Sequence, residues 1–383
     1  MSSRPLSLPA LLLAFSLFSP ALPGCQPAAT DDDDAANDDD ATADDDDATA
    51  DDDDSAGDDD DSSGDDDDSS GAPPETVFVA SPPVNGGAST AISEPDGTVF
   101  WTGTGTQQVG GLACGADPGT LLAVVMDIPA TYTLLGLDAS GATTSFDTYF
   151  SIPVGGGVSV THRQPEVVSC GGTTYLATPE VLVAPTPTPS TLVTLNGGAI
   201  WSAPAGRSIG GLACDGVSLY VTTVGGTLPN YRLHRLDLNG NASSETTYFD
   251  SAGYEVRDLG VQPEVAACDG TVYLATPTLI DAGGTSVERS DVPTTVRTEA
   301  GAVLWSGGAD VDVGGLTCDG DGGIYVMVSG GDPLAYELLQ LSAAGEVLSA
   351  TTTFELILGS TLNSRDAEVA SCPVPADPLP DRR

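Results

Sequence analysis

Lysine is absent from the sequence, and all 11 basic residues are arginines. Without lysine there is no P-loop grip on phosphate, no Schiff-base chemistry and no lysine nucleophile. Positive charge of any kind is scarce: 56 acidic residues outweigh it, for a formal charge of −45 over 383 residues. That balance excludes nucleic acid and anionic membrane surfaces as natural partners. Only two histidines occur, His162 and His234, which leaves little for a histidine-rich metal centre. The 46 glycines and 28 prolines argue against a helical protein. Composition names no ligand, but it narrows the fold class and the compartment.

The one long apolar stretch lies at the start. Arg4 precedes Leu11-Leu12-Leu13-Ala14-Phe15 and Leu17-Phe18, and the segment closes Leu22-Pro23-Gly24-Cys25. The run is too short to span a bilayer and reads as a secretory signal. Its end resembles a bacterial lipobox: an aliphatic residue three before the cysteine, a small one just before it, then Cys25. The resemblance implies cleavage before Cys25 and lipidation of its thiol, with residues 1–24 as signal peptide. Several acyl chains together would anchor the chain stably to a membrane. The other reading is an ordinary signal peptide with an incidental cysteine. Gln26 stands where an aspartate would have resembled an inner-membrane retention signal, so the expected address is the outer membrane, on its periplasmic or cell-surface face.

Residues 25–71 then form a linker. Blocks of aspartate begin at Asp31, Asp38, Asp44, Asp51, Asp58 and Asp65. Such a tract buries no apolar surface and repels itself, so it is expected to be a disordered, extended tether. Forty residues reach on the order of 130 Å at full stretch. Capture of calcium by the carboxylates is the alternative, at the weak affinity of an unstructured cage.

From residue 72 to 373 the sequence repeats. Val109-Gly110-Gly111-Leu112-Ala113-Cys114 recurs as Ile209 to Cys214 and as Val313 to Cys318. Glu166-Val167-Val168-Ser169-Cys170 recurs as Glu264 to Cys268 and as Glu368 to Cys372. Each phrase returns about every hundred residues and the two alternate about every fifty, so three long repeats hold two half-units each. Within a half-unit, alternating apolar runs are broken by Asx-Gly turns such as Asn239-Gly240, which are hairpin signals. Four strands in about fifty residues is the size of a propeller blade.

Last strands end in Phe100-Trp101, Tyr149-Phe150, Ile200-Trp201, Tyr248-Phe249, Leu304-Trp305 and Phe354, which counts six blades. The first copy, Thr76 to Pro82, matches second strands and lacks a first strand, whereas Glu368 to Cys372 is a first strand with nothing after it. Joining the two ends would close the ring and leave a tail at 374–383. The pattern resembles the bacterial repeat propellers of the YVTN, NHL and quinoprotein-like kind. The expected fold is therefore an all-β, six-bladed β-propeller, and the resemblance implies nothing definite about activity.

Six cysteines lie one per first strand. Export permits three disulfides among them, but equivalent positions on neighbouring inner strands are expected to stand near or beyond the ~7 Å limit for a bridge. Buried thiols are the expectation, because free cysteine packs as a small apolar residue. Gly206-Arg207-Ser208-Ile209-Gly210 matches a nucleophile pattern but lacks the strand–turn–helix setting, and Ser208 reads as a polar loop position. Asp319-Gly320-Asp321-Gly322 and Asp237-Leu238-Asn239-Gly240-Asn241 resemble calcium loops without the acidic residue at the twelfth position, and read as hairpin turns. Trp101, Trp201 and Trp305 read as blade packing, with sugar stacking as the alternative.

The candidate ligand or cation site is Glu166, Glu264 and Glu368, four residues before their cysteines and at the end of long approaches to the inner strands. Gly110, Gly210 and Gly314 hold the short-loop equivalents. A six-fold ring would alternate glutamate with glycine, converging three carboxylates at the channel mouth with room beside each. Like charges held close require neutralisation, either by a cation such as calcium or by Arg163, Arg257 and Arg365 nearby. No catalytic residue is assigned. The function read from sequence is a non-catalytic module binding a protein, glycan or small ligand; the alternatives are a metal-dependent propeller hydrolase or lactonase and a structural surface-coat protein.

Overall fold

A computed structural model describes residues 75–374 except 83–89, 105–106, 118, 128–130, 153–158, 161–164, 183–187, 226–229, 252–254, 257–261, 281–291, 309, 331–333 and 356–366. The signal segment, Cys25, the aspartate tract, His162, Arg163, Arg257 and Arg365 lie outside the described residues.

Six four-stranded antiparallel sheets make up the ring. Blade 1 starts with Gln107–Cys114, blade 2 with Val167–Cys170, blade 3 with Arg207–Cys214, blade 4 with Val265–Cys268 and blade 5 with Val311–Cys318. Blade 6 takes its innermost strand, Glu368–Pro373, from the far end of the chain and pairs it with Glu75–Ser81, in the register Thr76 opposite Cys372 and Ala80 opposite Glu368. The two ends thus share one blade, as the split repeat predicts. The six inner strands contact one another around a closed circle. The propeller has no helix among the described residues.

Odd and even blades differ. Odd blades end in nine-residue strands, Thr143–Ser151, Ala242–Asp250 and Val347–Glu355, while the even blades' last strands have four residues. The large cores fall between an even blade and the odd blade after it. Phe78, Ile92 and Ala370 of blade 6 pack with Leu121, Val125 and Leu137 of blade 1. Tyr175 and Leu192 of blade 2 pack with Ile209, Val221 and Leu236 of blade 3. Tyr273 and Val296 of blade 4 do the same with Val313, Val326 and Leu341 of blade 5. The other three interfaces carry smaller clusters, such as Val124 and Leu134 against Val167 and Leu176. Half-buried Trp101, Trp201 and Trp305 each pack on one of the large cores, the blade-packing role.

The cysteines follow this pairing and correct the expectation of free thiols. Cys114 is bonded to Cys372, Cys170 to Cys214 and Cys268 to Cys318, with Cα separations of 5.3, 5.9 and 5.5 Å. The expectation rested on six evenly spaced strands, whereas these blades associate as pairs whose cysteine ends converge within bridging range. The ring is three stapled blade pairs.

A buried carboxylate trio at the start of the inner strands

Each even blade begins on a fixed glutamate. The backbone carbonyl of Glu166 accepts the Ala177 N–H at 2.9 Å, and that of Glu264 accepts the Ala275 N–H at 3.1 Å. Glu368 faces Ala80, the equivalent alanine of blade 6. These contacts set where the side chains leave the strand. The glutamates lie four residues before the cysteines, so about 13 Å of strand separates the carboxylates from the disulfides.

The paired glycines of the odd blades explain the close approach. A bulge interrupts each inner strand between Val109 and Gly111, Ile209 and Gly211, and Val313 and Gly315. A Cβ on Gly111 would stand 2.8 Å from the Pro165 carbonyl oxygen, one on Gly211 2.6 Å from that of Pro263, and one on Gly315 2.9 Å from that of Ala367. These oxygens belong to the residues just before the glutamates. The glycines therefore admit the neighbouring backbone, and the room expected beside each carboxylate at Gly110 and Gly210 is filled by Pro165 and Pro263. Thr222 Oγ1 also donates to the Pro263 carbonyl.

The three carboxylates come together. Glu166, Glu264 and Glu368 each offer an oxygen within 4.8 Å of the others'. All three are buried, at 5, 4 and 5 % exposure, and do not stand open at a mouth. Hard cations such as calcium bind oxygen at about 2.3–2.6 Å, which puts two ligands of one ion at most about 5 Å apart. The trio meets that limit.

Gln262 is a member of the cluster that the sequence reading did not single out. It is 1 % exposed, and its Nε2 donates to Glu166 Oε1 at 3.3 Å although it arises from the approach to blade 4. Its side-chain oxygen makes no hydrogen bond among the described residues. The recurrence of Gln-Pro-Glu at 164–166 and 262–264 was the available signal. Two tyrosines feel the trio's charge. Burial, with the charges of Tyr132 and Glu166 adding, pushes the Tyr149 hydroxyl well above its ordinary range. Burial followed by Tyr231 and Glu264 does the same at Tyr248, where Arg297 and Arg207 oppose the rise.

The remaining sequence candidates are engaged elsewhere. Ser208 sits inside an inner strand, buried, with its hydroxyl donating to Glu180 Oε2 at 3.4 Å. This corrects its reading as a loop position. Gln108 and Asp312 occupy the same strand position and are buried too. His234 is buried with its Nε2 3.0 Å from Thr223 Oγ1 and its ring 5.0 Å from that of Trp201. Arg207 beside it donates to Thr223 and Asn230, and burial lowers its pKa to about 10. In the calcium-like loops Asp319 Oδ1 accepts the N–H groups of Asp321 and Gly323, and Asp237 Oδ1 those of Asn239 and Asn241. These are hairpin turns.

Neither a protein-family model nor a curated protein sequence matches the chain. Solved structures resemble it at low identity. A Bacteroides caccae protein of unknown function is 13 % identical with a TM-score of 0.43, over 78 % of this chain and 99 % of its own. A chain of a nidogen/laminin complex is 10 % identical with a TM-score of 0.47, over 78 % and 98 %. The Dos1 propeller is 13 % identical with a TM-score of 0.36, over 75 % and 70 %.

Proposed function

We propose that the chain is an exported, lipid-anchored binding module whose propeller holds a hard multivalent cation among Glu166, Glu264 and Glu368. One observation carries this reading: three buried carboxylates, one from each blade pair, bring oxygens within 4.8 Å of one another. Burying three negative charges together is costly unless protons, arginines or a cation offset them, and an all-oxygen set selects a hard ion over zinc or copper. Gln262 joins the set through its amide nitrogen, which donates to Glu166 Oε1. A bound ion would tie the three stapled pairs together at the carboxylate ends of their inner strands and fix the loops around them. The binding role is preferred to hydrolysis because Ser208 and His234 are engaged with Glu180 and Thr223.

Calcium calorimetry tests the site. The full chain is compared with its Glu166→Gln, Glu264→Gln, Glu368→Gln triple variant, so that both proteins carry the same aspartate tract. One site per chain present in the parent and lost in the variant is expected, and identical isotherms would refute it. Anchoring is tested separately: Cys25→Ser should move the protein from the membrane to the soluble fraction and abolish acyl labelling. An unchanged membrane fraction would sink the lipid anchor.

A further inference from the structure

The three interfaces without a disulfide, between blades 1 and 2, 3 and 4, and 5 and 6, are not packed alike. A bulge in the last strand of each odd blade sets one residue between two paired positions. Tyr149 holds it in blade 1, Tyr248 in blade 3 and Thr353 in blade 5. Each tyrosine joins both apolar clusters of its interface, and the Tyr149 hydroxyl donates to the Ala177 carbonyl at 3.2 Å. At the third interface that ring is missing. Val79 stands where the other even blades have Leu176 and Leu274, and Ser93 where they have Val193 and Arg297. Met327, in the place of Val124 and Thr222, takes back part of the volume. What remains is a cavity lined by Val79, Ala80, Ser93, Met327, Thr353 and Ala367 with their neighbours, with room for about one water molecule.

The cavity adjoins the trio. Ala367 precedes Glu368, Ala80 faces it across the strand pair, and both line the space. The tyrosines at the equivalent position feel Glu166 and Glu264. A void forfeits packing contacts, so the interface that holds it separates most easily. Methionine also turns about three side-chain bonds and adapts to gaps, as a ring wedged between two clusters does not. We propose that the seam between blades 5 and 6 is the gate of the trio: it parts ahead of the other interfaces, Met327 swings aside, and an ion passes to and from Glu368. The proposal rests on the cation reading above and adds to it the route and the moving part.

Stopped-flow transfer of calcium to and from a fluorescent chelator tests the gate with the full chain, and the triple glutamine variant supplies the trace of the aspartate tract. Thr353→Tyr/Met327→Val copies the Tyr149 and Val124 pair of blade 1 into the seam. Filling the gate raises one barrier for entry and exit alike. Uptake and release should both slow about tenfold while Kd changes less than about twofold. Ser93→Val, a milder filling with the residue of blade 2, should slow both in the same direction, so misfolding of the double variant does not remove the test. Amide exchange of the ion-free protein reads the seam independently of calcium. Ile324–Gly330 of blade 5 should exchange faster than its equivalents Leu121–Asp127 and Ser218–Gly225. Unchanged rates in the folded variants, with calcium bound as tightly, would overturn the gate and leave the cation site standing, with entry along the ring axis instead. Equal exchange of the three strands would overturn the gate as well. A trio that binds no calcium would overturn the cation reading and the gate together.

Discussion

Removing the bridge between Cys114 and Cys372 should cost more than removing either of the other two. It spans 258 residues of sequence, against 44 for Cys170–Cys214 and 50 for Cys268–Cys318. A crosslink acts chiefly on the unfolded chain, where a longer loop forfeits more entropy. The loop-length relation gives about 5.5 kcal/mol for the long bridge and about 4 kcal/mol for each short one. With a melting entropy of roughly 0.6 kcal/mol per degree for a ring of this size, the losses are roughly 9 °C and roughly 7 °C in Tm. The long bridge also holds the last strand, whose partner Glu75–Ser81 enters the ring nearly 300 residues earlier. The assay is calorimetry of Cys114→Ser/Cys372→Ser beside Cys170→Ser/Cys214→Ser, with thiols titrated in denaturant. Two results would refute the reasoning: a larger loss from the short bridge, or six titratable thiols in the unreduced parent.

Gly211→Ala should destabilise the protein by about 1–3 kcal/mol, because its Cβ would press on the Pro263 carbonyl at the junction of blades 3 and 4. Gly198→Ala, with nothing nearer than Thr194 Oγ1 at 3.8 Å, is the control, and urea midpoints compare the two. Deleting residues 368–383 removes blade 6's inner strand, one bridge and one carboxylate, and should abolish the cooperative thermal transition; an unchanged melt would refute closure. Burial lowers the pKa of His234, with Arg207 and Arg232 acting in the same direction and Glu245 against it. The folded state therefore favours the neutral ring, and the unfolded chain binds the proton first as pH falls below about 6.5. Stability from this group is complete above that pH and declines below it. His234→Gln should show a shallower fall in urea midpoint between pH 7 and pH 5 than the parent.

The blade count and the ring closure were legible because both are matters of sequence period. Strand alternation, Asx-Gly turns and the unmatched copies at Thr76 and Glu368 are local or repeat-to-repeat signals, and antiparallel blades of adjacent strands convert them directly into structure. The convergence of Glu166, Glu264 and Glu368 was legible for the same reason, since equivalent positions of a closed repeat must face one axis. Gln262 was harder to find. Its role depends on reaching from the approach to blade 4 to a glutamate of blade 2, and no spacing along the chain encodes that distance.

Sequence by itself determined the architecture, the alternation of two kinds of blade and the residues that meet at the start of the even inner strands. Tertiary structure alone decided that the blades associate as pairs, that the six cysteines are bridged within those pairs, and that the glycine positions are filled by Pro165 and Pro263. It also placed Ser208 within a strand and the carboxylates out of solvent. The physical reason is that a repeat specifies equivalence between positions, whereas bridging, crowding and burial depend on separations of an ångström or two between blades. Those separations come from how large side chains such as Tyr175, Ile209 and Leu236 fill a shared core, and that packing is a property of the closed ring.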